Sequence, residues 1–215
     1  MILSKRINYL LAFLVGLTTS VAAIELPPPG VLEFSILRNG SEIGVHALTF
    51  SKQDNVVEVV SNTAIDFKLG FIPLYRFRQE GREVWRENRL EELRNLTDDN
   101  GTSLDLVIAR QGGGLKVSLN GADKDTIPDA IPASLWNLRL ADGPLLIDTV
   151  DGDRKTVTVQ DIGDEAIMVR GIPTVARRFT VEGELQRDVW YDKKDALVQV
   201  RFTARDGSEI LYRLR

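Results

Sequence analysis

The sequence contains no cysteine and only one histidine, His46. Without cysteine there can be no disulfide, thiolate metal site, cysteine nucleophile or lipid attached to a leader cysteine. A histidine-rich metal site is also excluded, and any nucleophile–histidine system would have to use His46. The sequence therefore predicts a fold stabilised by packing alone, with no metal and no cofactor.

An excess of positive charge is missing as well. The chain carries 27 lysines and arginines against 31 aspartates and glutamates, for a formal net charge of −4. Nucleic-acid binding depends on a basic face that displaces counterions, so we expect no nucleic-acid partner. After the first 23 residues no apolar run is long enough to span a bilayer, and we expect no transmembrane segment there.

Residues 1–23 have the features of a cleavable signal peptide. Lys5 and Arg6 form a basic start, a mostly apolar stretch follows, and Val21 and Ala23 are the small residues that precede a cleavage site. An uncleaved anchor is the alternative, but the apolar stretch of about 15 residues is shorter than a membrane span. We expect cleavage after Ala23 and a periplasmic or secreted product.

The rest of the chain is predicted to be all-β. Residues 24–30 are proline-rich and form a spacer, which leaves 31–215 as a single β-domain. From Val31 onward, apolar and polar residues alternate in short runs that end at turn dipeptides, and little helical periodicity is present. This pattern predicts a single antiparallel meandering sheet, curved into a half-barrel or barrel.

The first predicted hairpin turns at Asn39-Gly40, a pair that accepts the positive φ of a two-residue turn. This turn sets Phe34 opposite Val45 on an apolar face. On the other face it sets Glu33 opposite His46. A carboxylate beside an imidazole can orient it for acid–base chemistry, so these two residues are candidate catalytic residues. A surface ion pair is the alternative interpretation.

A second hairpin is predicted to turn at Glu80-Gly81, which would place Arg76, Arg78, Glu83 and Trp85 on one face. Arginine over indole is a cation–π arrangement, and grouped arginines can bind a carboxylate or phosphate. These four residues are therefore ligand-binding candidates. Cross-strand charge pairs on a solvated face would produce the same pattern.

The C-terminal hairpin allows two registers. A two-residue turn at Asp206-Gly207 would mix the apolar and polar faces. A three-residue loop over 205–207, with the glycine left-handed, sets Phe202 opposite Ile210 and keeps the faces separate, so we predict the three-residue loop.

Residues 121–143 interrupt the alternation with two prolines and a potential short helix near 133–140. We predict a long connection that packs Trp136 over one mouth or edge of the sheet, because such loops are usually functional. A linker between two small domains is the alternative. Trp136 and Trp190 are further ligand-binding candidates, since an aromatic-lined pocket suits an apolar ligand, although core packing would explain them equally well.

Several phrases together resemble one family of exported bacterial proteins, the domain of unknown function DUF6134. The resemblance covers most of the chain from about Val31 and rests on FSILRNGSEIGVHALTF, LYRFRQEGREVWRENRL, LTDDNGTSLDL, PASLWN and VEGELQRDVWYDKKDALVQVRFTARDGSEILYRL. It implies an envelope location and an all-β fold, comparable to the open half-barrels of periplasmic lipoprotein carriers. The family brings no established catalytic residues with it.

These observations favour a non-catalytic envelope module that binds a lipid or other apolar or amphipathic molecule, or an envelope protein partner. The sequence offers no convincing nucleophile or metal set. Two alternatives stay open: an enzyme that uses His46 with Glu33 as an acid–base pair, and an assembly protein that adds a strand to a partner at a sheet edge.

Overall fold

The computed structural model describes residues 30–215, so the predicted leader and residues 24–29 of the spacer lie outside it. Within that range no helix has the length and apolar composition needed to cross a bilayer. In residues 30–215 a single short 3-10 helix, Leu138–Asp142, accompanies fifteen strands. The strands are β1 (Val31–Arg38), β2 (Ser41–Gln53), β3 (Val56–Leu69), β4 (Ile72–Arg86), β5 (Arg89–Asp99), β6 (Thr102–Gln111), β7 (Gly114–Leu119), β8 (Ala122–Ile127), β9 (Ile131–Pro132), β10 (Leu145–Ile147), β11 (Arg154–Val169), β12 (Ile172–Gly183), β13 (Arg187–Tyr191), β14 (Leu197–Thr203) and β15 (Glu209–Leu214).

All fifteen strands form one sheet in the order β8-β7-β6-β5-β4-β3-β2-β1-β15-β14-β13-β12-β11-β10-β9. Neighbouring strands are antiparallel except for β9 and β10, which run parallel. The predicted all-β class and antiparallel meander are confirmed. The sheet is not closed, because β8 and β9 form its two edges.

Ion pairs bring the two ends of the sheet together. Lys124 of β8 pairs with Asp153 at 2.6 Å, and Asp125 of β8 pairs with Arg154 of β11 at 3.0 Å. These contacts join one edge strand to the region next to the other edge. The sheet therefore curls around a concave interior, whose opening is bridged by side chains rather than by backbone hydrogen bonds.

The interior has two distinguishable ends. Because neighbouring strands alternate in direction, β1, β3, β5, β12 and β14 finish at one end, called here the upper end. Residues 128–144 lie at the opposite, lower end, where the hydroxyl of Tyr191 donates to the carbonyl of Leu135 at 2.6 Å. Leucine, isoleucine and valine side chains such as Leu106, Ile108 and Val189 are fully buried between the two ends.

The turn between β10 and β11 folds into the upper part of the interior. The carbonyl of Thr149 accepts hydrogen bonds from Gln79 at 3.1 Å and from Asn95 at 2.5 Å, both on the concave face. A side chain at Gly152 would overlap Val117, so the turn packs closely on the core. These contacts fill the interior on the side of β4 to β7.

The stretch 121–143 contains β8, β9 and the whole 3-10 helix rather than one long loop. The predicted helix near 133–140 is displaced to 138–142 and starts after Asn137, whose side chain accepts from the backbone N–H of Arg139. Strands on both sides of this stretch belong to one sheet and one hydrophobic core. The single-domain division stays a prediction, which this continuity supports.

The register predicted for the first hairpin is wrong beyond its turn. Ile36 pairs with Gly44 whereas Leu37 pairs with Glu42, so β2 contains one extra residue, a β-bulge. From there the register shifts by one, and His46 lies opposite Phe34 rather than Glu33. A side chain is excluded at Gly44, because a Cβ there would overlap the carbonyl oxygen of Ala64.

The predicted turn at Glu80-Gly81 is also wrong. Strand β4 continues through Gly81, and the chain turns instead at Glu87 and Asn88, both of which have positive φ. A Cβ at Gly81 would overlap side-chain oxygens of Asn95 and Ser61. The glycine thus marks a close approach between strands rather than a turn.

The C-terminal hairpin follows the prediction. Phe202 pairs with Ile210 and Val200 with Tyr212, and Gly207 has a φ of +82° in the loop. Gly163-Asp164 is a turn-like pair in the sequence and is expected to separate two strands, but β11 runs through it with a β-bulge between Asp161 and Gly163.

Substituting Gly81 tests the close approach inside β4. We expect Gly81→Ala to lower the free energy of unfolding by about 1–3 kcal/mol, because the added methyl group must displace buried polar side chains. Urea denaturation measures the change. Gly113→Ala is the matched control, since it adds the same methyl group where nothing lies within 4 Å. Equal midpoints for the two variants would contradict this account.

Candidate functional site

The lower half of the interior is filled by aromatic side chains. Trp85 and Trp136 are 1% and 5% exposed and pack edge-to-face with ring centroids 5.6 Å apart. Phe50 packs edge-to-face on Trp136 at 5.4 Å. The predicted placement of Trp136 over one mouth of the sheet agrees with this geometry. Both indoles contact protein rather than open space.

Glu83 is a buried carboxyl at the centre of this aromatic group. Its Oε2 accepts hydrogen bonds from the indole N–H of Trp85 at 2.8 Å and of Trp136 at 2.9 Å. Ser134 is a third donor. Burial raises the pKa of Glu83, while these three donors oppose the rise. The carboxyl therefore holds the crossing segment onto the sheet.

The upper half of the interior is polar and only partly buried. His46 lies on the concave face of β2, where its Nδ1 is 2.8 Å from the hydroxyl oxygen of Thr63. Its ring contacts Tyr212 and Phe34, with centroids 5.7 and 5.9 Å away. Burial lowers the pKa of His46 to about 4, so the imidazole is neutral at pH 7.

Glu33 does not join His46. It points to the outer face of β1, where its Oε1 accepts from the Nε of Arg215 at 2.6 Å. The predicted acid–base pair is thus separated onto opposite faces, because the bulge in β2 moves His46 by one position.

Arg187 lies at the upper end of the concave face. Its guanidinium carbon is 3.8 Å from the ring centroid of Phe202, and its Nη1 donates to the carbonyl of Gln186. Within residues 30–215 no carboxylate reaches ion-pair distance of Arg187, and Asp148 acts on its pKa only from farther away. Burial lowers the pKa of Arg187.

A continuous row of rings connects Arg187 to His46. Phe202 contacts Tyr212 at 6.2 Å, and Tyr212 contacts the imidazole. Tyr75, from the start of β4, hydrogen-bonds to Asp99, and burial together with Asp99 and Tyr212 raises the pKa of its phenol. We call these five residues, Arg187, Phe202, Tyr212, His46 and Tyr75, the upper mouth.

Sequence reasoning missed Arg187, although a signal was present. In the alternation of β13, Arg187 falls on the same face as Val189 and Tyr191, which are buried. A cation at an apolar position of the pattern is the type of exception that marks a functional residue.

The arginines predicted to accompany Glu83 and Trp85 lie on the other face of β4. Since β4 does not turn at Gly81, strand alternation separates even-numbered from odd-numbered residues along it. Arg78 pairs with Asp66 at 2.5 Å on the outside, and Arg76 is exposed near the start of the strand. The predicted grouping of these four residues is therefore wrong.

Trp190 belongs to an outer cluster. Its indole N–H donates to Glu165 at 2.9 Å, and the guanidinium carbons of Arg178 and Arg201 lie 5.3 and 5.2 Å from its ring centroid. Both arginines bond to Asp188. The indole is 1% exposed, so this cluster covers the tryptophan.

A groove of about 170 Å³ opens at the lower end, outside the sheet. Arg89, Asp129 and Arg139 contribute to its lining, and Arg89 pairs with Asp129 at 3.1 Å. Ligand pockets for drug-sized molecules usually exceed about 300 Å³, so this groove is too small for a lipid chain.

The model of the domain of unknown function DUF6134 matches residues 34–215. The chain belongs to the DUF6134 family. This match confirms the resemblance seen in the sequence, and like that resemblance it assigns no activity. No curated protein matches the chain.

Among solved structures, the DUF6134 chain is similar to a crystal structure described as a β-barrel-like protein of the domain of unknown function DUF1849 from Brucella abortus. The TM-score is 0.57 at 9% identity, over 86% of this chain and 95% of that chain. At this identity the likeness concerns the fold alone.

Removing the Glu83 carboxyl should destabilise the closed lower end. We expect Glu83→Ala to lower the free energy of unfolding by about 3 kcal/mol or more, since it leaves two buried indole N–H groups without an acceptor. Glu83→Gln retains an acceptor oxygen and should cost less. Urea denaturation at pH 7 compares the two, and equal losses would contradict the role of the hydrogen bonds.

Glu83→Gln should also change the dependence of stability on pH. Because the folded pKa of Glu83 is raised, the folded state keeps a proton that the unfolded state releases above about pH 4.5. The Glu83 contribution to stability therefore falls as pH rises from that value through the folded pKa. The stability of Glu83→Gln should therefore lack this pH-dependent contribution.

Because His46 is the single histidine, its protonation can be followed directly. We expect its ring proton signals in NMR to titrate near pH 4 rather than 6.5. Between those values the unfolded state binds a proton that the folded state does not, so the His46 contribution to stability falls as pH drops from 6.5 to 4. His46→Gln should remove this component of the pH dependence. Titration near pH 6.5 would show that the ring is solvated.

Proposed function

We propose that this DUF6134 protein is a non-catalytic binding module for an amphipathic anion, which enters at the upper mouth. The observation that carries this proposal is Arg187, a partly buried cation on the concave face that has no carboxylate at ion-pair distance among residues 30–215. A ligand carboxylate or phosphate would supply the missing partner.

The surroundings of Arg187 suit the apolar part of such a ligand. Phe202 and Tyr212 form a ring surface beside the guanidinium, and His46 extends it as a neutral imidazole. Sites for small molecules commonly combine an apolar lining with a few polar groups that fix orientation. The upper mouth has this composition, whereas the lower half is filled by its own side chains.

An enzyme based on His46 and Glu33 is not supported, because these side chains lie on opposite faces of the sheet. The neutral imidazole contacts a hydroxyl and two rings, and within the described part of the chain no carboxylate bonds to it. We therefore place His46 in the lining of the binding site.

Assembly by strand addition is also less favoured. Besides the short edge strands β8 and β9, the longest stretch without a ladder partner on one side belongs to β11, which pairs with β10 only at residues 154–156. The rest of that edge contains the bulge at Gly163 and the acids Asp161, Asp164 and Glu165. Natural sheets use bulges and charges to prevent pairing at an edge.

The location of the protein in the envelope remains part of the proposal. It is supported by the signal-peptide features of residues 1–23, and an amphipathic ligand is consistent with a compartment bounded by membranes.

Calorimetric titration with laurate and with dodecanol tests the role of Arg187. We expect Arg187→Gln to weaken laurate binding about 10-fold to 100-fold, since a charge-assisted hydrogen bond contributes roughly 1.5–3 kcal/mol. Binding of the uncharged alcohol should change much less.

Arg205→Gln is the matched control, because it removes the same charge from an exposed loop at the same end. Unfolding curves confirm that both variants are folded. Equal laurate affinity in wild type and Arg187→Gln, or no binding of either compound to wild type, would refute the proposed function.

A further inference from the structure

The hairpin formed by the end of β3 and the start of β4 extends beyond the rest of the sheet. The ladder between β2 and β3 stops at Gly44 and Ile65, and the ladder between β4 and β5 stops at Phe77 and Asp99. Residues 66–76 therefore have ladder partners only among themselves, and the carbonyl of Arg76 accepts one further hydrogen bond from the N–H of Asn100. This segment, called here the upper hairpin, projects from the upper end.

The tip of the upper hairpin exposes a continuous run of large apolar side chains. Leu69, Phe71, Ile72 and Leu74 are 68%, 103%, 62% and 48% exposed. An isolated exposed apolar residue is ordinary, but four of them within six positions form a patch that marks an interaction surface.

Cations flank this apolar tip. Lys68 and Arg76 are exposed on either side of it, and within residues 30–215 neither forms an ion pair. The only acid of the hairpin, Asp66, is bonded to Arg78. A chain with a formal charge of −4 thus presents a net positive apolar surface at the tip of this hairpin.

The backbone of the upper hairpin is poorly suited to adding a protein strand. Pro73 lacks an N–H group, and the shift of register between Phe67 and Lys68 marks a bulge. Both features oppose edge pairing. The hairpin can instead interact through its side chains, which form an apolar tip between cations. This composition is typical of segments that enter the interface of an anionic bilayer.

We propose that the upper hairpin inserts Phe71 and its apolar neighbours into an anionic lipid surface, with Lys68 and Arg76 at the level of the headgroups. This contact goes beyond the proposed ligand binding and does not depend on it. Because the hairpin and the upper mouth share one end of the fold, insertion would turn the mouth toward the bilayer.

Phe71→Trp provides a direct reporter of insertion. The three native tryptophans are at most 5% exposed, so they contribute little to quenching from outside the protein. With vesicles of phosphatidylglycerol and phosphatidylcholine that contain brominated lipid, we expect the new tryptophan to shift to shorter wavelength and to be quenched. All variants are purified without residues 1–23, as verified by intact mass.

Vesicle flotation then measures the contribution of each part of the hairpin. We expect Phe71→Ser to reduce binding to anionic vesicles at least tenfold, and Lys68→Gln with Arg76→Gln to reduce it about 25-fold, at roughly fivefold per cation. High salt should reduce wild-type binding in the same way, and vesicles of pure phosphatidylcholine should bind weakly.

The hairpin between β11 and β12 supplies a matched control. It exposes Ile172 at 65% but projects from the lower end, where Arg170 bonds to the carbonyl of Arg215. Ile172→Ser should leave vesicle binding unchanged. Laurate affinity should be the same in Phe71→Ser and wild type, which separates membrane contact from ligand binding.

Two results would overturn the inference. One is an emission spectrum of Phe71→Trp that anionic vesicles neither shift nor quench. The other is vesicle binding that Phe71→Ser leaves intact or that Ile172→Ser abolishes instead.

Discussion

The buried carboxyl of Glu83 connects β4 to the segment that crosses the lower end, through hydrogen bonds between side chains. It lies near the C-terminal end of β4 and accepts hydrogen bonds from indoles of β4 itself and of the segment that crosses the lower end. A group of this kind is costly to bury unless it is hydrogen-bonded, and three donors reduce that cost. Trp136 is thereby fixed over the core, so an open sheet gains a closed lower end.

Closing one end leaves the other end available for function. Opposite the filled lower half, the upper mouth combines Arg187 with a row of partly buried rings that leads to His46. The interior thus changes from apolar to polar along its axis. A ligand with an apolar body and an anionic group would match this end, and the protruding upper hairpin lies beside it.

Two errors in the sequence analysis came from glycines that do not turn the chain. Gly81 follows an acidic residue and Gly163 precedes one, which is common for glycines in turns. Both nevertheless lie within long strands. Gly81 is required because Asn95 and Ser61 approach it from neighbouring strands, which no local pattern reports. In contrast, Gly207 was predicted correctly, because its loop has to keep apolar residues on one face.

By itself, the sequence determined the all-β class, the antiparallel meander and the membership of a family, since alternation and turn chemistry act between residues close in the chain. Only the tertiary structure decided on which face of the sheet each of the candidate side chains lies. One bulge in β2 placed His46 inside and Glu33 outside, and the continuity of β4 separated Arg76 from Glu83. A shift of one residue reverses every later side chain in a strand, and packing between distant strands selects the register.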